Sequence, residues 1–437
     1  MTSRINKKIF GKIKANLPIV IILLLAVLTR FWHLDYPPSY IFDEVYHAFT
    51  AGAYAKNDPA GYEWWHTSPV KGTAYEWLHP PIAKLFMAAG ILIFGDNSLG
   101  WRFFSAVFGV LAVLMLYLVG KELFNKRVGL LAAFLGCLDG MFLVQSRIAM
   151  NDIYLIVFLL TAVFWLFRWL KKQDSKNFIL ACLFTGLSVA TKWPGIFLVP
   201  IIGLAIVYIF YQKKWDFNWL KQHLLLFLAS FLLIPLIYIL SYTQFWLQGH
   251  PIGQFVELHK QIWWYQTSLK ATHDYGSKAW EWPLMIRPVW FYVNYDVPGK
   301  IGNIYNLGNP LIWWSGLMAM IFVIYKAVTD FAISHKPASP ARLAAKPAGG
   351  LLAISYLLFW IPWLFSPRVM FLHHYLPSLT FLVLGLAWFI DDIKDKPLKS
   401  LLLTAFVLIF VLFYPIWTGL VIPQTYFHFL LWLPSWK

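Results

Sequence analysis

Eleven apolar runs, each close to the ~20 residues that a helix needs to cross a bilayer, punctuate the chain at about 17–32, 99–119, 128–145, 151–169, 178–193, 196–211, 223–242, 310–326, 349–366, 371–390 and 399–419. Their regular return between short polar stretches predicts an all-α polytopic membrane protein with about eleven transmembrane helices. Two polar intervals are long, 33–98 and 243–309. Within the first, the run 80–94 is apolar but short and opens on Pro80 and Pro81, so it is predicted to lie at the interface or dip into it. The second holds Trp246, Trp263, Trp264, Trp280, Trp282 and Trp290. It reads either as an aromatic belt at headgroup level or as a lid of one or two interfacial helices over lipid or acceptor. No internal repeat of fixed period is visible, which counts against a transporter built from inverted halves.

Composition sharpens this picture. Of 437 residues, 59% are hydrophobic and 13% charged, and the mean hydropathy is +0.61, far from a soluble domain. The net charge of +16 would suggest nucleic acid in a soluble protein. Here well over half of the basic residues fall in alternate inter-span segments, as topology signals do, and nucleic acid is not expected. They place the amino terminus and the segments near 121–127, 168–176, 212–221, 326–346 and 391–399 in the cytoplasm, and 33–98, 243–309 and the carboxy terminus outside. The basic start followed by the run ending Thr29-Arg30-Phe31-Trp32 lacks a small-residue cleavage site and is expected to be retained as a first span. Cys137 and Cys182 lie inside apolar runs, so neither a disulfide framework nor a thiolate metal site is supported. The Pro-, Ala- and Gly-rich stretch within 328–348 is predicted to be a flexible cytoplasmic linker. No soluble domain is visible, and 1–437 reads as one membrane-embedded unit.

Ionisable residues at a membrane surface mark a site by default. Three groups are predicted to meet on the outer face. The first is the adjacent pair Asp43 and Glu44 with His47, His66, His79 and Lys84 nearby. On a helix Asp43 and His47 share a face, while Asp43 and Glu44 point about 100° apart, so one can act on a substrate while the other holds the scaffold. The second is cationic: Lys84, Arg102, Arg147 with Asp152, and Lys192. Such cations suit a phosphate, arginine especially for its planar donor fork, although headgroup snorkelling or an Arg147–Asp152 pair would use the same residues. The third is Arg287, Arg368, His373, His374 and Tyr375. The two histidines lack the ligand spacing of a zinc site, and neither a P-loop nor a Gly-x-Ser-x-Gly elbow is present. The residues alone thus suit a phosphate-bearing, lipid-linked donor and do not name the sugar.

Seven motifs then resemble one family. Phe42-Asp-Glu-Val-Tyr-His, His79-Pro-Pro-Ile-Ala-Lys, Trp101-Arg-Phe-Phe-Ser-Ala, Gln145-Ser-Arg-Ile-Ala-Met-Asn-Asp, Thr191-Lys-Trp-Pro-Gly, Trp282-Pro-Leu-Met-Ile-Arg-Pro and Phe371-Leu-His-His-Tyr-Leu-Pro are similar to those of the protein O-mannosyltransferases, in the same order and across nearly the whole chain. The resemblance implies a glycosyltransferase C-type fold of eleven spans. It also implies transfer of mannose from polyprenyl- or dolichyl-phosphate mannose to Ser/Thr hydroxyls of exported proteins, in the cell membrane. It assigns Asp43 as catalytic base, Glu44 as orienting donor or acceptor, and Arg102 as the contact to donor phosphate. Lys84, Arg147 and Asp152 match family positions without a firm role. The substrate-binding set expected from both readings is His79, Lys84, Arg102, Arg147, Asp152, Lys192, Arg287, His373, His374 and Tyr375. No cofactor is required by the chemistry, though a divalent metal stays open. Association with secretion machinery stays open too, as do a same-fold transferase of another sugar and a lipid-linked sugar flippase. Eukaryotic members carry a β-trefoil insert in the long outer loop; the interval 243–309 is too short for one, so the chain looks like a bacterial-type member.

Overall fold

The computed structural model describes residues 2–268, 270–332 and 340–437. In chain order its elements are α1 (Thr2–Phe31), α2 (Glu44–Ala55), α3 (Ile82–Phe94), α4 (Ser98–Leu123), α5 (Lys126–Cys137), α6 (Gly140–Gln145), α7 (Asp152–Lys172), α8 (Ser175–Val189), α9 (Leu198–Gln212), α10 (Phe217–Ser241), α11 (Thr243–Leu247) and α12 (Ile252–Ser268). Strands β1 (Val289–Asn294) and β2 (Lys300–Asn306) follow, then α13 (Pro310–Ala332), α14 (Pro340–Trp360), α15 (Leu376–Asp392), α16 (Lys396–Thr418), β3 (Val421–Pro423) and α17 (Gln424–Leu430). Eight helices among the described residues are long and apolar enough to cross a membrane, and three apolar helical stretches are shorter: Asn16–Phe31 of α1, α3 and α8. The chain is a multi-span helical membrane protein, with an observed tally of eight long apolar helices against the eleven spans expected.

The bundle is layered by burial. The apolar window of Leu372–Asp392 is 89% buried and that of α7 72%, whereas that of α10 is 22% buried. Leu225 and Leu232 on α10, and Leu401 and Leu408 on α16, stay exposed, as lipid-facing side chains do. At the outer end α3 lies against the start of α4 because Gly90 meets the Gly100 carbonyl where a Cβ would clash. That contact brings the first outer interval onto the bundle.

The run 128–145 is not one helix. It breaks at Leu138 and Asp139 into α5 and α6 because Asp139, fully buried, serves three donors: Oδ1 accepts from Phe142 N at 3.1 Å, and Oδ2 accepts from Asn309 N at 3.0 Å and Trp313 Nε1 at 2.9 Å. Asn309 donates in turn to the carbonyls of Leu138 and Phe406, and Gly140 sits against Trp417 with no room for a side chain. The break therefore knots α5, α6, the start of α13 and α16 together.

The interval 243–309 holds the helices α11 and α12 and two strands, β1 and β2, which β3 from beyond α16 completes into a three-stranded antiparallel sheet in the order β1-β2-β3, with Val289 opposite Asn306 and Ile301 opposite Ile422. Val-Trp-Phe-Tyr-Val in β1 is rich in residues that pack on a pleated surface. Of the linker expected over 328–348, residues 333–339 lie outside the described residues. Residues 328–332 continue α13 and 340–348 open α14.

Replacing Asp139 with Ala would strand three buried donors, each worth about 1–3 kcal/mol when left unpaired. The thermal midpoint of the purified protein in detergent is expected to fall sharply, by more than for Asp139→Asn, which keeps one carbonyl acceptor; an unchanged midpoint in Asp139→Ala would refute the knot.

Candidate active site

The acid pair divides its work by burial. Glu44, the first residue of α2, is fully buried and accepts four hydrogen bonds: Oε2 from Ile41 N at 3.0 Å and Arg102 Nη2 at 2.7 Å, Oε1 from Arg102 Nε at 2.8 Å and Ala149 N at 3.0 Å. Arg102 completes its fork on the carbonyls of Leu34, Pro37 and Ser39. A guanidinium has five N–H donors, and all five are committed here. Arg102, expected at a donor phosphate, here spends these donors on closing the 34–44 turn around Glu44.

Asp43 is the opposite case. It occupies the N-cap position of α2, where an Asp side chain usually accepts from the first turn, yet it makes no capping bond. The preceding Phe42 has φ of +45°, a backbone state uncommon for a bulky residue, and its ring stacks on Phe291 of β1 at 4.2 Å. The half-buried Asp43 carboxylate is left with no hydrogen-bond partner among the described residues. Burial lifts its pKa to about 7; Asp152 and Glu76 add to the rise, while Lys192 and Arg368 pull against it.

The cations separate by how many donors remain free. Arg147 does not pair with Asp152. It caps the end of α1 through the carbonyls of Thr29, Arg30, Trp32 and His33. Lys84, fully buried, uses its three ammonium protons on the carbonyls of Glu76 and His79 and on the Glu76 carboxylate. Lys192, between α8 and the turn Trp193–Phe197, bonds the two carboxylate oxygens of Asp152 at 2.9 and 3.1 Å, and so retains a donor. Arg368 bonds Gln266 and lies over Tyr265 at 6.0 Å, with most of its fork uncommitted. Asp43 therefore faces two cations with spare donors.

The third expected group disperses. Arg287 bonds the carbonyls of Asp274, Ser435 and Lys437 and lies over Tyr275, fastening the chain end to the outer loop. Tyr375 bonds Tyr356 at 2.8 Å inside the core, and His374 is held by the Phe371 backbone and stacks on Trp282. These three residues support the fold. His373, buried beside Phe42, with Nδ1 unpartnered, remains at the cleft. His66 also lies apart, paired with Glu63, which is itself bonded to His250.

Glu76 was missed in the sequence. Its carboxylate binds His79 Nδ1 at 2.7 Å and Lys84, with His47 Nδ1 at 3.6 Å. Burial would raise its pKa, but Lys84 and His79 hold it well below the usual carboxylate range. The one available signal was an acid three residues before His79, within reach of its ring. Among the described residues no group of three or more His, Cys, Asp and Glu is arranged to hold a metal ion.

Two kinds of hollow flank this centre. Beside Lys192, apolar grooves of about 510 and 440 Å³ are lined by Trp193, Phe255 and Trp263 and by Ile196, Ile234 and Tyr238. Trp193 Nε1 donates to Tyr238, which bonds His259 Nε2 at 2.8 Å, tying α12 to α10 at the grooves. On the Arg368 side, an open cleft of about 680 Å³ has polar walls that include His273, Ser277, Lys278, Glu281 and Ser366.

For an acid whose pKa rises on folding from about 4 to about 7, the folded state favours the protonated form. That stability is complete below about pH 4 and is lost as pH climbs through 7. Asp43→Asn is therefore expected to melt like the wild type at pH 4 and at a higher temperature at pH 8. An equal midpoint at both pH values would contradict the raised pKa.

Comparison with known proteins matches the chain to a family. Residues 20–248 match the family model described as dolichyl-phosphate-mannose-protein mannosyltransferase, and residues 251–436 the C-terminal four-transmembrane region of protein-O-mannosyltransferase. The polyprenol-phosphate-mannose–protein mannosyltransferase of Mycolicibacterium smegmatis is 27% identical, over 95% of this chain and 92% of that one. Its namesake in Corynebacterium glutamicum is 25% identical, over 82% and 81%. In fold, the chain is similar to the S. cerevisiae protein O-mannosyltransferase Pmt1-Pmt2 complex bound to the sugar donor, with TM-score 0.80 at 16% identity over 97% of this chain and 93% of that one. It is also similar to ArnT from Cupriavidus metallidurans bound to undecaprenyl phosphate, with TM-score 0.56 at 15% identity over 90% and 64%. The chain belongs to the protein O-mannosyltransferase family and is a glycosyltransferase of the C-type membrane fold.

Proposed function

We propose that this protein transfers mannose from polyprenyl-phosphate mannose to serine and threonine hydroxyls of exported proteins, on the outer face of the cell membrane. The amino terminus is then cytoplasmic and the carboxy terminus outside. One observation carries the reading: a carboxylate with no hydrogen-bond partner among the described residues and a pKa of about 7 feels the charges of two cations with spare donors. A base tuned near the working pH, next to an anion site, is what displacement of a sugar from a lipid phosphate needs.

The steps follow from the groups present. Asp43 takes the proton of the acceptor hydroxyl as its oxygen attacks the anomeric carbon. The bond from that carbon to the phosphate oxygen breaks, both electrons leave with the oxygen, and polyprenyl phosphate departs. Attack opposite the leaving group inverts the anomeric centre. Lys192 and Arg368 balance the charge on the departing phosphate, while Glu44 and Arg102 are positioning residues that hold Asp43 in place. The apolar grooves beside Lys192 suit the polyprenyl chain and the polar cleft beside Arg368 suits an acceptor polypeptide. Because acceptors reach this face by export, proximity to secretion machinery belongs to the same reading.

Purified protein is expected to move labelled mannose from polyprenyl-phosphate mannose to a Ser/Thr-rich peptide. Asp43→Asn should lose about 10²–10⁴-fold in kcat while remaining folded, and wild-type kcat should rise with pH through about 7 as Asp43 ionises. Transfer that survives in Asp43→Asn would place the base elsewhere. A folded wild type that transfers no mannose would point to another lipid-linked sugar, or to translocation without a product.

Substituting Lys192 or Arg102 tests the division of cationic work. Lys192→Ala leaves the buried Asp152 carboxylate without its partner, so it is assayed beside Lys192→Arg and with melting curves. The folded fraction is expected to lose at least 10-fold in donor turnover, since a charge-assisted hydrogen bond is worth about 1.5–3 kcal/mol, and Lys192→Arg to recover part of it. Arg102→Ala strands a buried carboxylate and is expected to lower the melting temperature strongly. A stable Arg102→Ala with a selectively raised KM for donor would restore Arg102 to the phosphate.

A further inference from the structure

Glu76 and His79 form a dyad that the displacement above does not use. Glu76 is 5% exposed at its side chain and Lys84 behind it 0%, whereas the His79 side chain is 19% exposed. The pair is thus anchored from behind and open on one side. Glu76 Oε1 can only accept, so the 2.7 Å contact puts the imidazole proton on Nδ1. Lys84 already neutralises Glu76, and burial lowers the pKa of His79. The ring is consequently neutral, its tautomer set by the carboxylate.

A neutral imidazole with its proton on Nδ1 offers only a lone pair at Nε2, and Nε2 has no protein partner among the described residues. A lone pair repels phosphate oxygens and accepts from a hydroxyl. The charges of Lys192 and Lys84 act on this ring, and the ring acts on Asp152, so His79 neighbours the Lys192–Asp152 pair. With the donor phosphate on Lys192, the donor group that comes next is the sugar. We propose that His79, held as the Nδ1–H tautomer by Glu76, accepts a hydrogen bond from one hydroxyl of the donor sugar and so helps to decide which sugar is transferred. This rests on the reading of the cleft as a sugar-phosphate site. Sites that hydrogen-bond a substrate hydroxyl reject the analogue lacking it far more strongly than apolar pockets reject a methylene.

The test is a coupling cycle on the full-length protein in detergent. Wild type, His79→Ala and His79→Gln are each assayed with polyprenyl-phosphate mannose and with monodeoxy donors lacking each sugar hydroxyl in turn, with folding checked by melting. One deoxy donor is expected to lose about 10²-fold or more in kcat/KM with wild type and little further with His79→Ala, a non-additivity that a purely structural role cannot produce. His79→Gln, whose amide oxygen can accept, should recover part of the rate with the intact sugar. Losses that multiply at every hydroxyl would overturn the proposal while leaving mannosyl transfer standing. If wild type turns over a different lipid-linked sugar, the reading of the donor fails, and the same cycle on deoxy forms of that sugar decides the role of His79.

Discussion

The arrangement around Asp43 depends on the buried ion pair of Glu44 and Arg102. Burying two charges is costly unless their remaining lone pairs and protons are satisfied, and here all are: four donors reach the carboxylate and five acceptors or acceptor contacts take the guanidinium. Such a pair contributes little net stability compared with an apolar replacement, but losing one partner is expensive. Its consequence is geometric. It pins α2 to α4 and to the turn at Ala149, so the residue before Glu44 must leave its carboxylate pointing away from the helix that would otherwise cap itself with it.

The spans and the acid pair were legible because their signals are local. A run of apolar residues near bilayer length has few other meanings, and adjacent acids at a membrane edge are costly without a use. The fate of each cation was not legible. Arg102 and Arg147 bond backbone carbonyls, Lys84 neutralises Glu76 and Lys192 keeps a proton to spare, yet all four read as the same outer-edge positive charge. What separates them is how many acceptors the folded chain brings to each head group, a long-range property that no spacing encodes. The break at Asp139 was hidden for the same reason, since two of its three donors come from around Asn309, far along the sequence. Two strands of the β-sheet lay inside an interval whose tryptophans suggested the interface, the third came from beyond the last long helix, and the alternation was too short to stand out.

The two hollows differ in chemistry in the way the proposed substrates do. A lipid-linked donor carries an apolar chain and an anionic head, while an acceptor polypeptide brings backbone amides that need water or hydrogen bonds. The grooves under α12 offer the first environment and the cleft along 271–281 and 363–370 the second. Lys192 and Arg368 each have donors left over, and both charges act on Asp43.

Charge balance explains why the base can sit there. Were Lys192 unpaired, its full charge beside Asp43 would drag the carboxyl back toward its ordinary range and weaken it as a base. Pairing with Asp152 leaves Lys192 one proton to spare while offsetting that field, and Asp152 itself pushes Asp43 upward. Glu76 would push further, yet Lys84 is spent on neutralising it. The buried cations thus leave Asp43 governed chiefly by desolvation, which an incoming lipid headgroup and polypeptide would deepen by excluding water. In the reaction proposed above, substrate binding would strengthen Asp43 as a base.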